Sequence, residues 1–156
     1  GFQMAVVEFA RNVCNLSAAN TTEVNPKAKN PVIDILPEQK KIEGLGGNMR
    51  LGGRDVEIKF NSFAYSLYGN KNIIRERFRH RYEVDPEYIS VLEEHGLIFS
   101  GKAPNQPIMQ ILELSKNKHP FFVGVQYHPE FLSRPTDVHP LFFGFMKACL
   151  NKLSKH

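Results

Sequence analysis

The chain has 156 residues, of which 42% are apolar, including 12 Phe and 5 Tyr. That is enough to build a core in one domain or a piece of one, and it excludes a chain disordered by composition. The formal charge of +4 is compatible with anionic ligands but is ordinarily a solvated surface. Two cysteines, Cys14 and Cys149, are too few for a disulfide framework, no secretory signal is visible, and no apolar run reaches bilayer-spanning length. The expectation is a soluble, cytoplasmic protein.

Gly1 leads directly into FQMAVVEFARNV, whose Val6, Phe9, Ala10 and Val13 share one helical face. The pattern starts without a capping Ser, Thr, Asp or Asn and without Met, as in the later part of a longer polypeptide. Leu16 to Pro31 is polar and punctuated, which predicts a loop, and Val32–Leu36 a short strand closed by Pro37. KKIEGLGG reads as a glycine-rich linker. Met49 and Leu51, then Gly52-Gly53, then Val56, Ile58 and Phe60 read as a hairpin turning at the glycines. SFAYSLYG predicts a short helix ended by Gly69.

From Ile74 the period is two: Ile74, Glu76, Phe78, His80, Tyr82 and Val84 on one face, and Arg75, Arg77, Arg79 and Arg81 on the other. A helix follows, with Asp85 as cap, Pro86 at its first position and Gly96 after its end. LIFSGKA and IMQILELS read as strands, and HPFFVGVQYH as a buried one. The last segment predicts a helix with Pro140 near its start and Phe142, Phe145, Met146, Cys149 and Leu153 inward. Mixed strands and helices with apparent hairpins predict an α/β domain in which a mixed sheet carries a small antiparallel excursion.

Chemistry concentrates in GVQYHPEF, Gly124 to Phe131. A strand ending on His128 delivers the imidazole to the sheet edge, where α/β enzymes place their sites. Pro129 restricts both itself and His128, and Glu130 is a carboxylate able to hold one imidazole tautomer if the chain bends. The plainer alternative is a hydrogen-bonded strand-end histidine beside a surface carboxylate. No second His or Cys lies at ligand spacing, which argues against a metal site. Cys14 and Cys149 both read as core residues, so the base and its orienter have no nucleophile in this sequence. The four arginines are ordinarily a solvated or ion-paired face. Without an RNP-type signature they do not make a nucleic-acid surface.

GFQMAVVEFARN, the Asn20-Thr21-Thr22-Glu23 segment, PVIDILPEQ, GGNMRLG, RHRYEV and GVQYHPEFLSRP together resemble the C-terminal glutaminase domain of the CTP synthases, a family of class I (Cys-His-Glu) glutamine amidotransferases. The similarity runs from Gly1 to about Leu153. HPE alone is shared among many amidotransferases, whereas GGNMRLG, HRYEV and the first helix are more specific. The resemblance implies the class I amidotransferase fold, a mixed, mostly parallel sheet flanked by helices, with the N-terminal part of the domain outside this sequence. Its nucleophile would be an elbow cysteine two residues before Gly1. Such a cysteine at a helix N-terminus near a histidine gains thiolate character.

The resemblance also implies roles for individual residues. Gly1, Phe2 and Gln3 would contact bound glutamine, Glu23 its amino group, and Arg81 the substrate, while His128 and Glu130 would be base and orienter. It implies no cofactor in this domain. ATP, Mg²⁺ and a GTP effector would belong to the full-length enzyme, a homotetramer with an N-terminal synthetase domain, of which this part could be monomeric. Nucleic acid and membrane are not expected partners. Another amidotransferase, or a nucleophile-less module that binds or regulates, remain the alternatives.

Overall fold

The computed structural model describes residues 1–36 and 49–153. Helix α1 (Phe2–Asn12) buries Phe2, Val6, Val7, Phe9 and Ala10. Its core face is that of the sequence pattern except at its end: Val13 is exposed and Cys14 takes the buried place, because the helix stops at Asn12 and Asn15 adopts a left-handed φ of 57°.

Strands β1 (Ala19–Thr21), β2 (Asn30–Asp34) and β5 (Glu83–Val84) form a three-stranded sheet in the order β1-β2-β5. The segment expected to be all loop therefore contributes β1 and the start of β2. Strand β1 is polar in sequence, and its parallel pairing with β2 makes it a strand. Its Ala19 and Thr21 are buried, and Arg11 Nε donates to the Ala19 carbonyl at 2.6 Å.

The second sheet has the order β4-β3-β6-β7-β8 and is antiparallel throughout, from β3 (Arg50–Ile58), β4 (Ile73–His80), β6 (Ile98–Lys102), β7 (Met109–Glu113) and β8 (Val123–Val125). The α/β class is as expected, but the balance differs: among the described residues only β1–β2 are parallel. Gly52-Gly53 does not turn. Strand β3 runs straight through it, paired with β4 from Arg50↔His80 to Glu57↔Ile73. Gly53 leaves room for the Arg75 guanidinium, which would lie 3.1 Å from a Cβ there and donates from Nη2 to the Gly53 carbonyl. Phe60 falls past the strand and is exposed. The Lys40–Gly47 linker and Pro37 lie outside the described residues.

Short helix α2 (Phe63–Leu67) is capped by the Ser62 hydroxyl, which accepts from Tyr65 N–H, and Gly69 ends it at φ +63°. Buried Glu113 on β7 accepts from the backbone N–H groups of Phe63 and Ala64 at 2.7 and 2.9 Å. The next helical stretch begins as a 3₁₀ turn (Pro86–Tyr88) capped by Asp85, continues as α3 (Ile89–Glu94), and stops at Gly96, φ +97°. In β4 the period-two reading holds: Ile74, Glu76 and Phe78 are buried and Arg75, Arg77 and Arg79 exposed.

Two corrections fall on the C-terminal part. Strand β8 is half-buried rather than buried. On α4 (Pro140–Leu153) only Leu141 is buried among the described side chains, whereas Phe142, Phe145, Met146 and Cys149 are exposed. The helix rests on its Leu141–Gly144 edge. Gly144 sits so near α2 that a Cβ would lie 2.4 Å from Leu67. The apolar stripe is wider than this contact. The side chain of Leu153 lies outside the described residues.

Apolar side chains gather into two main clusters. One joins α1, β2 and α3 through Val6, Phe9, Ile33 and Leu92. The other joins β3, β4, α2 and α4 through Val56, Phe78, Tyr68 and Leu141, and takes in Tyr127, the residue before His128.

Candidate active site

The site is built where the two edges of the larger sheet come together. Beyond β8, Gln126 N–H donates to the Gln110 carbonyl on β7, and His128 N–H donates to the Arg77 carbonyl on β4 at 2.9 Å. Strands β4 and β8 are opposite edges, so the His128 backbone closes the gap between them. His128 itself is extended (φ −112°, ψ 92°), and Pro129–Phe131 coil into a 3₁₀ turn. This is the bend that a His-x-Glu pair requires, and it turns Glu130 back so that its Oε1 lies 2.7 Å from His128 Nδ1.

With Nδ1–H donating to the carboxylate, His128 Nε2 is left for proton transfer. The imidazole is about one-third exposed, 37%, so a reactant can reach it. The Glu130 carboxyl is held below the usual glutamate range, first by a backbone N–H and then by the His128 hydrogen bond and charge.

Gln3, Glu23 and Arg81, from three separate segments, line one pocket of about 310 Å³ with Met49, Arg79, His80 and Tyr82. The lining thus combines an exposed carboxylate with two arginines, charges of both signs that suit a small zwitterion. Arg81 Nε is buried without a hydrogen-bond partner. Gly1 caps α1, and by position the first-turn N–H groups of Phe2 and Gln3 have no partner within the helix. The Phe2 side chain belongs to the core at 4% exposure, so only its main chain can face a ligand.

The pocket and the His128 turn share one anchor. The side-chain amides of Gln3 and Gln126 both donate to the Tyr82 carbonyl, at 3.0 and 2.8 Å. Beneath the pocket, Glu83, wholly buried, accepts from Arg50 Nε at 2.5 Å and faces His80 Nε2 at 2.9 Å. The sequence reading did not single out Gln126, Arg50 or Glu83. Glu83 carried one signal, a carboxylate between the apolar-face residues Tyr82 and Val84, whereas Gln126 carried none.

Neither cysteine approaches this site as a nucleophile. Cys14 is buried, its thiol pushed up by burial and directed at the Val91 carbonyl. Cys149 is exposed on α4, not in the core as its stripe predicted. A larger cleft of about 710 Å³ lies between α2 and α4, but it holds none of the paired polar groups described above. Among the described residues no group of three His, Cys, Asp or Glu could hold a metal ion.

The sequence model for class-I glutamine amidotransferases matches residues 1–148. The chain belongs to the class-I glutamine amidotransferases. Within this family it is 51% identical over 155 residues to the CTP synthase of Methanocaldococcus jannaschii, covering 99% of this chain and 28% of that protein. It is 55% identical over 150 residues to the CTP synthase of Haloarcula marismortui, covering 96% and 27%. The chain thus spans little more than a quarter of the length of these amidotransferases. Among solved structures, the glutaminase domain of Trypanosoma brucei CTPS with bound acivicin superposes with a TM-score of 0.87 at 36% identity, covering 97% of this chain and 58% of that one. The match confirms the expected class I amidotransferase fold.

Proposed function

We propose that this chain is the C-terminal part of the glutaminase domain of a CTP synthase, hydrolysing L-glutamine so that the ammonia can aminate UTP. The observation that carries the reading is the Tyr82 carbonyl, which ties a zwitterion-shaped pocket to the His128–Glu130 pair through Gln3 and Gln126. The CTP synthase relatives at 51% and 55% identity support this choice over other amidotransferases.

Glutamine's α-ammonium would sit against Glu23 and its α-carboxylate against Arg81, with its amide toward the N-terminus of α1. In this reading an elbow cysteine leads into α1 through Gly1. The helix dipole and His128 favour its thiolate. The thiolate attacks the amide carbonyl carbon while backbone N–H groups receive the oxyanion. As the C–N bond breaks, His128 Nε2 hands a proton to the leaving nitrogen, and Glu130 stabilises the imidazolium before that transfer. The same imidazole then takes a proton from water, which opens the thioester to glutamate and restores the thiolate.

Amination of UTP would use ATP and Mg²⁺ in a synthetase domain of the same polypeptide, with GTP as effector and the whole a homotetramer. No helix among the described residues is long and apolar enough to cross a membrane.

The test is to assay the full-length polypeptide for glutamate release from glutamine, and for CTP from UTP with ATP and glutamine. Glutamate and CTP formed together support the reading. Glutamate without CTP points to another amidotransferase, and neither product points to a binding or regulatory module.

A further inference from the structure

Behind the His128–Glu130 pair lies a second histidine–carboxylate pair, fully buried, that the reaction above does not use. Glu76 on β4 and His139 at the start of α4 are each 3% exposed, and His139 Nε2 is 2.9 Å from Glu76 Oε1. The Tyr68 hydroxyl reaches the same oxygen at 3.0 Å and is itself 2.7 Å from the Tyr127 hydroxyl.

The protons have one consistent arrangement. Leu141 N–H donates to His139 Nδ1, so the imidazole proton is on Nε2 and goes to Glu76. Tyr127 O–H donates to Tyr68, and Tyr68 O–H donates to Glu76. Burial pushes both phenols far above their ordinary range, so both stay protonated donors.

Each end of this network is one residue from the site. Tyr127 precedes His128. Glu76 precedes Arg77, whose carbonyl holds His128 N–H. Because successive residues in extended backbone face opposite sides, the side chains that point inward are those adjoining the contact that closes the sheet. The third arm reaches the turn that carries Glu130: His139 N–H donates to Ser133 Oγ, and Ser133 N–H donates to the Pro129 carbonyl. Three segments (β4, the His128 turn and the start of α4) are thus pinned to one carboxylate.

We infer that Glu76, with Tyr68 and His139, is a positioning residue for glutamine hydrolysis, holding the His128–Glu130 pair in register with the substrate pocket. The inference rests on the glutaminase reading above. It requires the network to act through geometry, so that chemistry suffers more than binding.

The test uses the full-length polypeptide. Glu76→Leu removes the shared acceptor, and Tyr68→Phe removes one hydroxyl with little change of volume. Glu76→Gln keeps an oxygen for both donors. Glu76→Leu should lower kcat for glutamine roughly 10- to 100-fold, as for a displacement of an ångström or less, with KM within about twofold. Tyr68→Phe should lower kcat about three- to tenfold, and Glu76→Gln should restore at least about a third of wild-type kcat.

A crystal structure of Tyr68→Phe should show the His128 Nδ1–Glu130 contact lengthened or the imidazole in two rotamers. Wild-type kcat and an unchanged His128–Glu130 contact in folded Tyr68→Phe overturn the inference, as does a loss expressed mainly in KM. If wild-type protein releases no glutamate, the glutaminase reading fails instead, and the crystallographic arm alone decides whether the network positions His128.

Discussion

Gln3 and Gln126 donate to the same backbone oxygen, the carbonyl of Tyr82. One stands in the first turn of α1, the other two residues before His128, and the acceptor directly follows Arg81. A single peptide group therefore sets the N-terminus of α1, the pocket arginine and the His128 turn relative to one another. Catalysis by orientation needs such a fixed frame, since small misplacements cost large factors in rate.

Gln126→Leu should test this frame with little risk to the fold, because the Gln3 bond to Tyr82 remains. Losing one hydrogen bond of ordinary strength, and with it part of the Arg81 alignment, should raise KM for glutamine roughly fivefold. Steady-state glutaminase kinetics would show it. An unchanged KM would mean that Tyr82 is held without Gln126.

The His128–Glu130 contact should leave a signature in stability against pH. The Glu130 carboxyl is lowered from 4.5, chiefly by a backbone N–H and then by His128. A depressed carboxyl stabilises the fold above its unfolded value, and that contribution is lost as pH falls through the folded value. The difference in Tm between wild type and Glu130→Gln should hold steady from neutral pH down to about 4.5 and shrink below it. The group is more than half exposed, so the difference will be small. A difference that grows on acidification would contradict the assignment.

Glu113 offers a stability test away from the site. Buried on β7, it accepts from the first two N–H groups of α2, which the Ser62 cap on Tyr65 N–H leaves open. Glu113→Leu should strand both donors and cost about 1–3 kcal/mol, read as a lowered urea midpoint at constant m-value. Unchanged stability would show that solvent or Ser62 suffices to cap the helix.

What the sequence revealed and what it hid follow from the range of the interactions. The period of β4, the Asp85-Pro86 start and Gly96 stop of α3, and the His-Pro-Glu turn are decided within a few residues, and all stand in the structure. Strand β1 was hidden because its residues are polar and become a strand only by pairing with β2. Gly52-Gly53 looked like a turn because its true partner, β4, comes after α2. The apolar stripe of α4 was legible, but a stripe does not say what covers it, and here Phe145 and Met146 are exposed. In the site, the resemblance supplied Gln3, Glu23 and Arg81, and the fold brings them to one pocket. Glu76 was legible only as a carboxylate on the apolar face of β4, and Gln126 not at all, since their partners lie far along the chain.

The central claim is that His128 transfers the protons of glutamine hydrolysis. It is tested most directly by glutamate release from the full-length polypeptide carrying His128→Ala, with a thermal melt to confirm folding. Loss of a positioned acid–base group predicts a fall in kcat of roughly 10²- to 10⁴-fold in a protein that melts like wild type. A folded His128→Ala protein with wild-type glutaminase activity would contradict the account.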